Sequence, residues 1–265
     1  MVLAHVRAGA GRRPLVLLHG LLGSARNLST LAHHLTERDA ELGVVSFDLT
    51  GHGASPPLPP GADAAALAGD VLASARALGL ATPLALVGHS LGGRVALRAA
   101  LLEPTAIGLV TLLDITPGPL DDGGDVSRVL EILLRMPETF ATRGQARARL
   151  VAAGLAPALA DWLLLNLTPA GEGHRWRIDR RALADLHARV AAEDLWPAVE
   201  RPHRFTLRCI RGGVSGYVGD VDASRLEAAG CPVTTIEGAG HFLHADRPQA
   251  VADAVAAGLV GALGS

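Results

Sequence analysis

The stretch Val87-Gly88-His89-Ser90-Leu91-Gly92-Gly93 constrains this chain more than any other, because it forces a strand into a helix through a glycine-bounded serine turn. Leu84 to Val87 read as a buried strand, and Leu91 to Leu102 as an Ala/Leu-rich helix. A serine held between them sits on a tight turn, and glycines at 88 and 92 let neighbouring backbone approach without a Cβ in the way. The turn lifts the hydroxyl to the top of a sheet. It also aims the helix N-terminus, with its unpartnered N–H groups and positive dipole end, at whatever the hydroxyl attacks. Gly-x-Ser-x-Gly alone arises by chance; between a strand and a helix it is far more specific.

The flanking sequence repeats that strand–helix alternation, which is the pattern of a mostly parallel sheet covered by helices. Strands are expected at Val2–Val6, Pro14–Leu18, Gly43–Asp48, Gly108–Asp114, Thr206–Ile210 and Pro232–Ile236. Helices are expected from Ser24 to Arg38, from Asp63 to Leu78 and over the closing Gln249–Leu263 segment. The pattern changes after Pro117. Asp121–Asp125 reads as a polar exit loop, and Val126 to Glu193 as several helices without a core strand. The expected organisation is a core of residues 1–117 and 198–265, with residues 118–197 inserted as a helical cap.

Composition narrows the function classes. The chain has 265 residues and a net charge of −2, from 24 basic against 26 acidic side chains, so nothing points to nucleic acid or an anionic membrane as partner. The arginine clusters at 143/147/149 and 175/177/180/181 read as solvated faces. Two cysteines, Cys209 and Cys231, make neither a disulfide framework nor a metal site. No apolar run reaches the ~18 residues of a membrane span, and the N-terminus lacks a signal-peptide pattern, so a cytoplasmic location is expected. No metal or organic cofactor is expected, and the sequence leaves the oligomeric state open.

A serine hydroxyl becomes a nucleophile at neutral pH when a base takes its proton, a third group orients the base, and donors await the oxyanion. For the base, His241 in Gly238–His244 follows the last strand directly, where loops converge at the carboxyl end of the sheet; His244 is the competitor. For the acid, Asp114 ends the strand after the serine helix, whereas the loop Arg211–Asp222 carries Ser or Gly at the usual acidic place, with Asp220 and Asp222 coming later. Asp114 is favoured and the later aspartates stay open. The oxyanion donors are expected to be the backbone N–H groups of Leu91 and, from the His19–Gly23 loop, Leu21. His19 and His52 read as loop braces rather than catalytic groups.

Taken together, His19-Gly20 with Gly23, Asp48 with Gly51-His52-Gly53, Gly88–Gly93 and Gly240-His241 resemble the ordered landmarks of the α/β-hydrolase family, spread over nearly the whole chain. Asp114-Ile115-Thr116-Pro117, Leu164–Leu167 with Trp176-Arg177, Gly212–Val218 and His244–Pro248 resemble small bacterial esterases related to mitochondrial α/β-hydrolase-domain proteins. Thr50 departs from the arginine usual in those relatives. The resemblance implies the α/β-hydrolase fold, Asp114 as the acid, and cleavage of a small-molecule carboxylic ester or thioester, with a short- to medium-chain acyl group, through an acyl-serine. Leu22, Met136, Trp162, Tyr217 and Phe242 are the expected pocket residues, with Leu130, Leu133, Leu134 and Leu163 weighed as pocket or insertion core. Two other readings share the fold: a lyase or carbon–carbon-bond hydrolase of quinone or aromatic metabolism anchoring a carboxylate through Arg94, Arg135 or Arg177, and a non-catalytic ligand-binding protein. Dehalogenases and epoxide hydrolases are disfavoured, because those relatives place Asp where Ser90 stands.

Overall fold

The computed structural model describes residues 2–120 and 125–262. The first half of the chain forms β1 (His5–Ala8), β2 (Arg13–Leu18), α1 (Ser29–Arg38), β3 (Leu42–Phe47), α2 (Ala64–Ala77), β4 (Leu84–His89), α3 (Leu91–Leu102) and β5 (Ile107–Leu113). Next come α4 (Asp125–Arg135), β6 (Thr139–Phe140), α5 (Arg143–Ala152), α6 (Pro157–Leu163), β7 (Leu167–Ala170), β8 (Gly173–Trp176), α7 (Arg180–Ala191) and α8 (Trp196–Val199). The chain closes with β9 (Thr206–Gly212), α9 (Asp220–Ala228), β10 (Val233–Ile236), α10 (Leu243–Asp246) and α11 (Pro248–Ala262).

Seven strands form one sheet in the order β1-β3-β2-β4-β5-β9-β10, parallel except for β1, which runs antiparallel to β3. This is the mostly parallel, helix-covered sheet that the alternation of elements implied, and the α/β-hydrolase architecture that the resemblance implied. The apolar runs are continuous rather than alternating because both faces of the sheet are covered. Val16, Leu18, Val45, Leu86 and Val110 face α2 and α3, whereas Leu15, Leu17, Val44, Ala85 and Leu109 join Leu31, Leu35, Val251 and Val255 of α1 and α11. Burying each such Leu or Val side chain contributes about 1.5–3 kcal/mol.

Two expectations need correction. The edge strand lies at His5–Ala8, later than the apolar Val2–Val6 run, because a solvent-facing edge needs no apolar pattern; three of its four residues are exposed. The segment between β5 and β9 is not purely helical but holds a small antiparallel sheet, β6-β8-β7. These strands have two to four residues, too short to show a period of two. The readable signal was the two-residue turn between β7 and β8, where Gly171 takes φ +57° at its first position. The exit loop assigned to Asp121–Asp125 lies, through residue 124, outside the described residues. Leu130, Leu133 and Leu163 are buried in the cluster that also contains Val95 and Leu112, so this segment shares one core with the sheet. Leu134 is exposed.

Candidate active site

The loops after β4, β5 and β10 meet at the carboxyl end of the sheet and bring Ser90, Asp114 and His241 together. Ser90 has φ +52° and ψ −118° and immediately precedes α3. Its N–H donates to Leu113 O (3.1 Å). The turn exists because of its glycines: a Cβ on Gly88 would lie 2.1 Å from Gly92 O, and one on Gly92 would lie 2.3 Å from Leu18 O. Among the described residues, Leu22, Ser90 and Asp114 are the only non-glycine positions with positive φ, and all three lie here. Strain of ~1–3 kcal/mol per residue persists only where the surroundings over-determine the backbone.

Asp114 is completely buried, which would be costly for an unpartnered carboxylate. It is fully engaged: Oδ1 accepts from Gly212 N–H (2.9 Å), and Oδ2 accepts from the Ser215 hydroxyl and from His241 Nδ1 at 2.8 Å. A carboxylate can only accept, so the histidine proton sits on Nδ1 and the lone pair on Nε2. Tyr217 stacks on the imidazole, with ring centroids 3.7 Å apart and planes at 18°. The His241 carbonyl accepts from His89 Nε2 (2.8 Å), fixing the loop from the other side. Asp220 instead opens α9, pairs with Arg211 (2.8 Å) and is almost fully exposed; Asp222 sits in the same first turn. His244 is buried against His89, with ring centroids 4.5 Å apart.

Leu91 is the first residue of α3, so its N–H has no acceptor within the helix. The facing loop is braced from below by His19, whose Nδ1 donates to Gly20 O (2.8 Å) while Nε2 accepts from Leu49 N–H (3.0 Å). His52 Nδ1 donates to Thr50 O (3.2 Å), and its ring lies 5.0 Å from that of His19. Thr50, in place of an arginine, gives its hydroxyl to Asp70.

A cavity of about 320 Å³ opens onto Ser90 and His241, at the small end of the ~300–1,000 Å³ range of ligand pockets. Leu22, Trp162, Tyr217 and Phe242 line it, together with Leu21. Met136 does not. It follows the end of α4, packs on the core, gives its carbonyl to Arg180 (2.7 Å) and borders a separate groove with Trp176. The opposite end of α4 supplies Val126 and Val129, one turn apart, and the α5–α6 connection supplies Leu155. Sequence reasoning missed these three; the i, i+3 valines were the available signal.

The candidate carboxylate anchors are committed elsewhere. The Arg94 guanidinium is buried and gives its protons to the carbonyls of Thr116 (3.0 Å), Gly118 (2.6 Å) and Glu193. Arg135 pairs with Glu131 (3.5 Å), and Arg177 borders the separate groove. Among the described residues, no group of three or more His, Cys, Asp or Glu side chains could hold a metal ion.

Burial keeps these accessory histidines neutral. His19 is lowered to about 4, His244 to about 4 and His52 to about 3, mainly by loss of water, while His89 is pushed well down by burial and then by the neighbouring His244 and His241. An unfolded histidine takes its proton near pH 6.5. Between that pH and about 4 the unfolded chain therefore binds more protons, and stability falls as pH falls, by up to about 1.4 kcal/mol per pH unit per histidine. Melting temperatures measured from neutral pH downward should drop steeply across this window, and His52→Asn should make the drop shallower. An unchanged slope in that variant would contradict the assignment.

The comparisons with known proteins agree with this architecture. Residues 15–254 match the model of the "Alpha/beta hydrolase family". The chain belongs to that family. It is 30% identical over 249 residues to the sn-1-specific diacylglycerol lipase ABHD11 of Mus musculus, covering 91% of this chain and 79% of that protein. It is 28% identical over 246 residues to esterase YbfF of Escherichia coli (strain K12), covering 91% of each. Among solved structures, a marine microorganism esterase superposes with a TM-score of 0.84 at 24% identity, covering 96% of this chain and 98% of that one, which shows the shared fold. No helix among the described residues is long and apolar enough to cross a membrane.

Proposed function

We propose that this α/β hydrolase is a serine hydrolase that cleaves carboxylic esters or thioesters through an acyl-serine intermediate. The observation that carries the reading is the hydrogen bond from His241 to the buried Asp114 beside a strained Ser90, with Ser90 and His241 opening onto one largely apolar cavity. The relatives named as lipases and esterases support it at the level of ester cleavage.

In this mechanism His241 Nε2 takes the Ser90 proton as Oγ attacks the substrate carbonyl carbon. The N–H groups of Leu91 and Leu21 receive the oxyanion of the tetrahedral intermediate. The protonated imidazole then gives its proton to the departing alcohol or thiol. Water, deprotonated by the same nitrogen, attacks the acyl carbon and frees the acid and Ser90. Asp114 holds Nδ1–H throughout and stabilises the imidazolium.

The segment between β5 and β9 acts as the cap that sizes the acyl pocket, with Val126, Val129, Leu155 and Trp162 against one side of the chain. A cavity of about 320 Å³ suits a short to medium acyl group. None of the three arginines named in the sequence lines the cavity that holds His241; the arginine that does is Arg128 of α4.

A series of p-nitrophenyl esters of graded acyl length tests the proposal. Turnover should peak at short to medium chains, with an initial burst of p-nitrophenolate. Absence of turnover at every length, with ligand-induced stabilisation retained, would favour the binding-protein reading instead.

A further inference from the structure

The arginines at 175, 177, 180 and 181, which the sequence presents as a solvated face, rim a groove of about 940 Å³ apart from the catalytic cavity. One wall is Leu134, Met136 and Glu138, at and beyond the end of α4; the other is β8 with the start of α7. Extended backbone sends alternate side chains to opposite sides. Trp176 is accordingly buried, while Arg175 and Arg177 on either side of it are exposed. Arg181, in the first turn of α7, is exposed as well. Arg180 differs. Its buried guanidinium is engaged within the protein, donating to Leu133 O, Met136 O (2.7 Å) and Glu138.

Among the described residues, the side chains of Arg175, Arg177 and Arg181 have no hydrogen-bond or ion-pair partner. Elsewhere on the surface, Arg38, Arg76, Arg147 and Arg225 each hold a carboxylate. The two acids that line the groove are already engaged: Glu138 pairs with Arg180, and Asp179 caps α7 by accepting from Arg181 N–H and Ala182 N–H (3.0 Å each). A concave site lined mainly by one sign of charge focuses its field on whatever enters.

We infer that this groove binds a small phosphate-bearing molecule, with Arg175, Arg177 and Arg181 holding the phosphate oxygens. A guanidinium fork bonds two oxygens at once, and a phosphate group offers three terminal oxygens and up to two charges, a better match to three such forks than one carboxylate. The groove has the volume of a ligand pocket, and the chain's net charge of −2 leaves little else to hold a polyanion or an anionic bilayer. The site stands apart from the catalytic cavity, so the inference does not depend on the acyl-serine reading.

Titration calorimetry of the full chain with sodium pyrophosphate at low ionic strength tests it. One saturable site with a Kd of about 1 mM or below is expected, weakening as sodium chloride is added. Arg175→Gln, Arg177→Gln and Arg181→Gln should each weaken binding by about fivefold, and the three together should abolish saturation. The melting temperature of the free protein should stay unchanged in these variants, because the side chains are exposed. Arg147→Gln, in the other arginine cluster, should bind as wild type does. Absence of saturation by wild type up to about 10 mM would overturn the inference. So would undiminished affinity in the triple variant, which would place the anion elsewhere. Tighter binding of sodium succinate than of pyrophosphate would overturn the choice of phosphate. Co-sedimentation with vesicles of equimolar phosphatidylcholine and phosphatidic acid, without heat from pyrophosphate, would overturn the small molecule in favour of a lipid surface.

Discussion

Replacing Ser90 by alanine should lower kcat on p-nitrophenyl esters by up to about 10⁶-fold while the protein stays folded. The change removes one oxygen from a residue that is only 8% exposed and whose backbone N–H is bound to Leu113 O, so the elbow has its supports in either variant. Alanine tolerates φ +52° no worse than serine does, and the glycines at 88 and 92 that permit the turn are untouched. What disappears is the atom that forms the acyl bond. Residual turnover then comes from the oxyanion donors and the cavity alone, typically 10³–10⁴-fold above water. Circular dichroism and melting temperature should match wild type, and near-wild-type hydrolysis by the variant would end the acyl-serine account.

Asp114→Asn should have the second-largest effect, with kcat reduced by about 10⁴-fold. The carboxylate oxygens receive three donors: Gly212 N–H, the Ser215 hydroxyl and His241 Nδ1–H. An asparagine amide keeps one acceptor and turns a donor toward one of those groups. If that donor faces His241, the ring must present a lone pair at Nδ1 and carry its proton on Nε2, where it can no longer take one from serine. Asp220→Asn and Asp222→Asn should each change kcat by about twofold at most, since both side chains belong to the first turn of α9 and Asp220 pairs with Arg211 in solvent. The reverse order would move the acid to the loop before α9.

The fold was legible where local chemistry and burial agree. Strands such as Pro14–Leu18 and Leu84–Val87 could be placed because central parallel strands are apolar on both faces and end in glycine-rich loops. His241 was legible for the same reason, as a histidine directly after the last strand. Asp114 was separable from Asp220 only in part. Whether a carboxylate at the end of β5 reaches a histidine after β10 depends on the registers of β5 against β9 and of β9 against β10, which a single sequence does not encode locally. Ser215 could be read as the residue standing where an acid is usual, but not as the hydroxyl that donates to Asp114.

The inserted segment was the hardest to read. Its strands are too short to show a period, and Met136 and Leu155 look alike as apolar residues near helix ends. Only the way the segment seats on the sheet sends Leu155 to the cavity and Met136 to a distant groove. Asn166 was visible as part of a motif, yet its hydrogen bond to the Leu22 carbonyl, 144 residues away, was not.

The most direct test of the central claim is the intact mass of the enzyme, acid-quenched during turnover of p-nitrophenyl butyrate. The account predicts one butyryl group added to wild type, located by peptide mapping on Ser90, and none added to Ser90→Ala. Steady turnover with an unmodified Ser90, or a butyryl group on another residue that Ser90→Ala leaves in place, would contradict it.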